Sequence, residues 1–152
     1  MIKPARLRAV FDTNVIIAAI KARNPASPTA ELIRCWLAGE FDLLYSAALL
    51  EEYAEKLVAR KADPGKTAEF LAELIRRSVP VVVPLSEVKA VILADPDDDH
   101  VIACAVVGGA THIVTYDPHF AALGDSYPGI VILDGLHFLY AVRGDIPPTQ
   151  TT

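Results

Sequence analysis

The chain has 152 residues, 53% of them hydrophobic, and a formal net charge of −5 at pH 7. That length and apolar content suit one compact domain with its own core and exclude a disordered chain. The negative balance argues against a basic-faced nucleic-acid binder, unless several acids are gathered in one place and neutralised there by metal.

The opening "MIKPARLRAVFDTN" carries basic residues but no cleavage site, and no apolar run reaches the ~18 residues of a membrane span, so neither a secretory signal nor a membrane anchor is expected. Cys35 and Cys104 lie far apart, each in an apolar stretch, and read as reduced core thiols of a cytoplasmic protein. "LRAVFD", 7–12, predicts a strand ending at Asp12. After "TNVIIAAIKA" the stretch "RNPASPTAE" breaks the pattern with two prolines. Ser27 or Thr29 then caps a helix over "TAELIRCWLAG", with Leu32, Ile33, Trp36 and Leu37 on one face and Gly39 as its stop. "FDLLYS", 41–46, predicts a second strand. Two helices follow, "AALLEEYAEKLVAR" with Leu49, Leu50, Tyr53, Leu57 and Val58 inward, and "DPGKTAEFLAELIRRS" with Phe70, Leu71, Leu74 and Ile75 inward. "VPVVVPL", 79–85, predicts a β-branched strand bounded by prolines. An apolar helix over "DDHVIACAVVGG" comes next, then strands at "HIVTYD", 112–117, and "GIVILD", 129–134, and a last helix from "LHFLYAV". Residues 1–143 are expected to form a single domain and 144–152 a loosely ordered tail.

Strands alternating with helices mean βαβ units, a parallel sheet of about five strands and helices on both faces, a three-layer α/β/α fold. The runs "AVF", "VVV", "HIVT" and "IVIL" are apolar without alternation, as strands buried on both sides are. In such sheets ligands gather at the carboxyl ends of the strands. Asp12 and Asp117 both follow strand ends, so both belong to that edge. The stretch "DPDDDHVIACA", 95–105, places Asp95, Asp97, Asp98 and Asp99 at the start of the helix that precedes the strand of Asp117. Glu51 and Glu52 stand in the first turns of the helix after "YS" and reach the same edge. Crowded carboxylates repel one another, and hard divalent cations with oxygen ligands offset the repulsion. Two such ions can activate a water and steady the leaving oxygen of a phosphodiester.

Each residue also has a plainer reading. Asp12 could be an ordinary loop acid, Glu51 and Glu52 a solvated helix face, and Asp98 a helix N-cap. Asp95 and Asp97 read as turn and capping residues. His100 faces either RNA or the core, the Trp36 stripe is core or a dimer surface, and Arg76–Arg77 is a solvated helix end. Arg6, Arg8, Lys21 and Arg23 are candidate phosphate contacts.

The segments "VFDTNVII", "YSAALLEEYAEKL", "DPDDDHVIACAVVGGATHIVTYD" and "VILDGLHFL" together resemble the PIN domain, the small ribonuclease domain found as the toxin of many bacterial and archaeal toxin–antitoxin pairs. In order and spacing they cover most of residues 7–139. The resemblance implies that Asp12, Glu52, Asp98 and Asp117 are catalytic acids holding Mg²⁺ or Mn²⁺. Asp99 is the alternative to Asp98 in the register. It further implies that Asn14 and Thr115 stand behind the ligands and that Ser46 opens a helix by capping it. The family often carries Arg or Asn where Asp99 stands, and the extra acid adds negative charge beside the site. The implied activity is metal-dependent endoribonuclease cleavage leaving a 5′ phosphate and a 3′ hydroxyl. An RNA substrate, a cognate antitoxin and a homodimer come with it. The alternatives are a non-catalytic RNA- or protein-binding module on this scaffold and a metal-dependent phosphatase on a similar sheet. A haloacid-dehalogenase-type phosphatase needs Asp-x-Asp after the first strand, and Asn14 occupies the second position. A receiver domain needs a late Lys that "VTYD" lacks, and a nucleotide-binding flavodoxin-like domain lacks its Gly-rich loop.

Overall fold

The computed structural model describes residues 6–88, 98–118, 120, 126–127 and 129–144. Its sheet contains β1 (Arg8–Phe11), β2 (Asp42–Tyr45), β3 (Val79–Pro80), β4 (His112–Val114), β5 (Ser126–Tyr127) and β6 (Ile130–Leu133) in the order β3-β2-β1-β4-β6-β5. Five strands run parallel, and the short β5 joins β6 antiparallel at the edge. The central strand β1 is apolar because both its faces are covered: Ala9, Val10 and Phe11 are buried.

The helices are α1 (Thr13–Ile20), α2 (Pro28–Leu37), α3 (Ala47–Ala59), α4 (Pro64–Arg77), α5 (Asp98–Gly108) and α6 (Gly135–Arg143). From β1 the chain steps outward to β2 and β3, carrying α1 to α4 on one face. It then crosses back to β4 through α5, and right-handed crossovers put α5 on the opposite face. There α5 lies against β1, β2 and β4, while α2 packs against both α1 and α6. The result is the expected three-layer α/β/α arrangement. Phe138 meets Phe11 and Phe41 edge to face between the layers, with Phe41 and Phe138 centroids 5.1 Å apart, and Phe11 and Phe41 lie tilted at 33° to each other. At the end of α5, a Cβ on Gly108 would lie 2.6 Å from Leu44 Cδ2 and 2.8 Å from Val81 Cγ2, so only glycine lets the helix approach the sheet this closely.

Local chemistry starts the helices where it should. Ser27, rather than Thr29, caps α2 by accepting from Ala30 N–H, and Pro28 follows at the first helical position. Ser46, Asp63 and Asp134 cap α3, α4 and α6 in the same way.

Several sequence expectations need correction. The strand drawn over 79–85 is only Val79–Pro80, because Pro80 and Pro84 have no N–H to give a ladder, and Val82 and Leu85 are exposed. Val58 and Ile75, assigned inward, are exposed: each lies one residue past the end of a stripe that the 100° step of a helix keeps narrow. The strand containing "HIVTYD" stops at Val114, which leaves Thr115 to Asp117 as a loop. Cys35 and Cys104 are buried free thiols, as read. Asp95, Asp97 and the tail residues 145–152 lie outside the described residues. Among the described residues no helix is long and apolar enough to cross a membrane.

Candidate functional site

Asp12 follows the last residue of β1 and starts α1. Its N–H completes the ladder to Val114 O at 2.9 Å, and its φ of −65° and ψ of 153° turn the chain out of the strand. One carboxylate oxygen then accepts from Thr13 N–H at 2.8 Å, capping the helix, and the other accepts from the Thr115 hydroxyl at 2.7 Å. Thr115 continues beyond β4, the neighbouring strand, so the hydroxyl reaches across the sheet edge. That same hydroxyl accepts from Asp117 N–H at 2.9 Å. One side chain therefore orients Asp12 and fixes the backbone of Asp117 at once. Asn14, in the first turn of α1, holds the loop from the other side by accepting from Tyr116 N–H at 3.2 Å.

Asp98 is the first residue of α5 and is buried. Its carboxylate joins those of Asp12 and Asp117: one ligand oxygen from each lies within 4.8 Å of the others. Asp99 is equally buried and lies outside this set. Glu52 is half-buried on α3 and also stays outside the 4.8 Å group. Its neighbour Tyr53 is fully buried and donates its hydroxyl to Phe11 O, the carbonyl just before Asp12. The β1–β2 register ends at the pair Val10 and Leu44, so this carbonyl lies past the ladder and Tyr53 takes the place of a strand partner. Burial pushes the Tyr53 hydroxyl well up from its ordinary pKa, and Cys104, Asp12 and Glu52 push it the same way, so it stays a donor. Ser46, buried at the start of α3, accepts from Leu49 N–H at 3.3 Å and interacts with the Cys104 thiol, whose pKa burial pushes up to about 12.

The sequence reading did not find Tyr53 or Tyr116. Tyr53 fits the apolar stripe of α3, and nothing in the order of residues announces what its hydroxyl meets. Three of the four candidate phosphate contacts lie away from this edge. Arg6 pairs with Asp42 at 2.8 Å and Arg8 donates to Gly108 O at 2.9 Å, both at the amino ends of the strands, opposite Asp12. Lys21 donates to Arg60 O, at the far end of α1.

The donor set fits a hard divalent cation. A Mg²⁺ ion with bonds of about 2.1 Å has ligands about 3 Å apart when adjacent and about 4.2 Å apart when opposite. The three carboxylates approach that spacing before any ion draws them in. The amino termini of α1 and α5 also point to this edge, where their dipoles favour the carboxylates. At 4.8 Å two carboxylates repel by roughly 0.9 kcal/mol in a water-like medium and roughly 3.5 kcal/mol at ε ≈ 20.

No curated protein sequence matches the chain. Among solved structures, PAE2754 from Pyrobaculum aerophilum superposes with a TM-score of 0.63 at 16% identity, over 91% of each chain. VapBC2 from Rickettsia felis, bound to a DNA fragment from their promoter, superposes with a TM-score of 0.57 at 14% identity, over 83% of this chain and 97% of that one. VapC20 from Mycobacterium tuberculosis, described as a Sarcin–Ricin loop cleaving toxin, gives 0.55 at 17% identity, over 76% of this chain and 95% of its own. At these identities the likeness is one of fold. The sequence itself matches the family model for the PIN domain over residues 8–119, a span that holds Asp12, Asp98 and Asp117 together with the strands that position them, and the chain belongs to that family.

Proposed function

We propose that this chain is a metal-dependent endoribonuclease, the toxin of a toxin–antitoxin pair, and that Asp12, Asp98 and Asp117 hold Mg²⁺ or Mn²⁺ with Glu52 at the margin of the site. The observation that carries the reading is the convergence of three carboxylates, from segments far apart in the chain, within 4.8 Å at the ligand-binding edge of a PIN domain. The likeness to VapC20, described as a Sarcin–Ricin loop cleaving toxin, and to VapBC2, described as bound to a DNA fragment from their promoter, supports the toxin reading.

A divalent cation held by these acids supplies positive charge to a phosphodiester oxygen and lowers the pKa of a water. The chain's own residues prepare for it. Thr115 and Thr13 fix both oxygens of Asp12, so its orientation costs little when the ion arrives. Thr115 and Asn14 hold the backbone of Tyr116 and Asp117, which keeps the third carboxylate on station. The proposed assembly is a homodimer with a cognate antitoxin covering the site.

The test is cleavage of structured RNA with Mn²⁺ and with EDTA, by the wild type and by Asp12→Asn. EDTA is expected to abolish cleavage and the variant to lose at least ~100-fold, about 2.7 kcal/mol of barrier. Equal cleavage by both proteins overturns the assignment.

A further inference from the structure

Tyr116 stands between Thr115 and Asp117, in the loop that closes the acidic site, and is 45% exposed. Thr115 and Asp117 both turn toward Asp12, so the side chain between them turns to the flank, toward the start of α6. There its hydroxyl lies against Gly135, whose N–H is directed at it. A Cβ on Gly135 would collide with that hydroxyl and come within 3.3 Å of Cζ, so a glycine at this position makes room for the ring. Thr29 at the start of α2 flanks the same place. The residue is thus held at both ends, at its backbone N–H by Asn14 and at its hydroxyl by Gly135. Between these anchors the residue stays open to solvent.

A fixed aromatic ring beside a phosphodiester-cleaving centre has an evident use. Sequence-specific RNA readers splay bases out and stack them on aromatic side chains, and stacking is worth most when the platform is already rigid. Tyr116 and Asp117 are consecutive, with Cα atoms about 3.8 Å apart, so the ring borders the site from the position next to one of its carboxylates. We propose that Tyr116 is a specificity-determining residue that stacks a nucleobase flanking the scissile phosphate of the RNA substrate. This rests on the ribonuclease reading of the site.

Two measurements separate the two ideas. The first is binding of a single-stranded oligoribonucleotide of about eight nucleotides, carrying one 2-aminopurine, in the presence of Ca²⁺; stacking quenches its fluorescence. The second is steady-state cleavage of RNA with Mn²⁺. Tyr116→Ala is expected to abolish the quenching and raise KM about tenfold, with kcat changed far less and Mn²⁺ affinity retained. Tyr116→Phe keeps the ring and is expected to recover most of the loss. An unchanged KM in Tyr116→Ala, or a fall in kcat and Mn²⁺ affinity that leaves KM alone, overturns the stacking role. A wild type that quenches the probe but shows no metal-dependent cleavage refutes the nuclease reading while supporting Tyr116 as a base platform. The lack of quenching by a wild type that cleaves RNA does the reverse.

Discussion

Neutralising one acid of the cluster gives two opposite results depending on divalent cation. In Asp12→Asn the variant loses two carboxylate–carboxylate repulsions, with Asp98 and with Asp117. Taking the limits of the dielectric range at 4.8 Å, the relief is roughly 2–7 kcal/mol. The partly exposed Asp117 holds it near about 4 kcal/mol, below the middle of that range. Against this, the donors Thr13 N–H and Thr115 Oγ1 lose a charged acceptor. The difference between a charged and a neutral hydrogen bond is about 1 kcal/mol each. A net gain of about 2 kcal/mol remains, which in a domain of this size raises the melting temperature by about 4–8 °C without divalent ions. With Mn²⁺ at about 100 times the wild-type Kd, the wild type gains about 2.7 kcal/mol, and a variant binding ~100-fold more weakly gains about 0.4 kcal/mol. The difference of about 2.3 kcal/mol cancels the variant's advantage, so the two melting curves meet near that concentration and cross above it. Differential scanning calorimetry across a Mn²⁺ titration reads this directly. A variant that melts at or below the wild type in EDTA, or that responds to Mn²⁺ as the wild type does, refutes the electrostatic picture of the site.

Thr115→Val keeps the shape of the side chain and removes both bonds its hydroxyl makes, to Asp12 and from Asp117 N–H; a loss of about 2–4 kcal/mol in chemical denaturation and a weaker Mn²⁺ affinity are expected. Tyr53→Phe leaves the buried Phe11 carbonyl without its donor and is expected to cost about 1–3 kcal/mol, read as a shift of the urea midpoint with an unchanged slope. His112 is half-buried against Phe138, and desolvation lowers its pKa in the folded state. The unfolded chain then binds the proton more readily, so the contribution is full above about pH 6.5 and is lost as pH falls. Stability should drop between about pH 7 and pH 5, and the His112→Gln variant should show a smaller drop over the same window.

Much of the fold was legible because its parts carry local signals. The unbroken apolar runs at β1 and β4 mark strands covered on both sides, and Ser27 marks a helix start by chemistry that needs no tertiary partner, whereas "IVIL" and "VVV", read the same way, leave Val131 and Val82 exposed. The two-residue β5 is too short to show a period, and β3 was overdrawn because β-branched composition outvoted its prolines. At the site, the rule that ligands gather at the carboxyl ends of parallel strands put Asp12 and Asp117 on one edge, and resemblance preferred Asp98 while keeping Asp99 as its alternative. What stayed hidden is what only folding creates. The hydroxyl of Tyr53 meets a carbonyl 42 residues away in sequence, and although resemblance placed Thr115 behind the ligands, that its hydroxyl bonds one carboxylate 103 residues away and also takes the N–H of Asp117 emerges only in the fold. No local pattern encodes such pairs.

The margin of the sheet at β3 has a bearing on how the chain survives crowding. "VPVVVPL" is otherwise the kind of segment that zips copies of a protein into fibres: short, β-branched, uncharged, with Val82 and Leu85 turned to water. Pro80 and Pro84 deny it two amide donors and interrupt any continuous ladder that another copy could extend. They act as gatekeepers, keeping a sticky stretch from becoming a template.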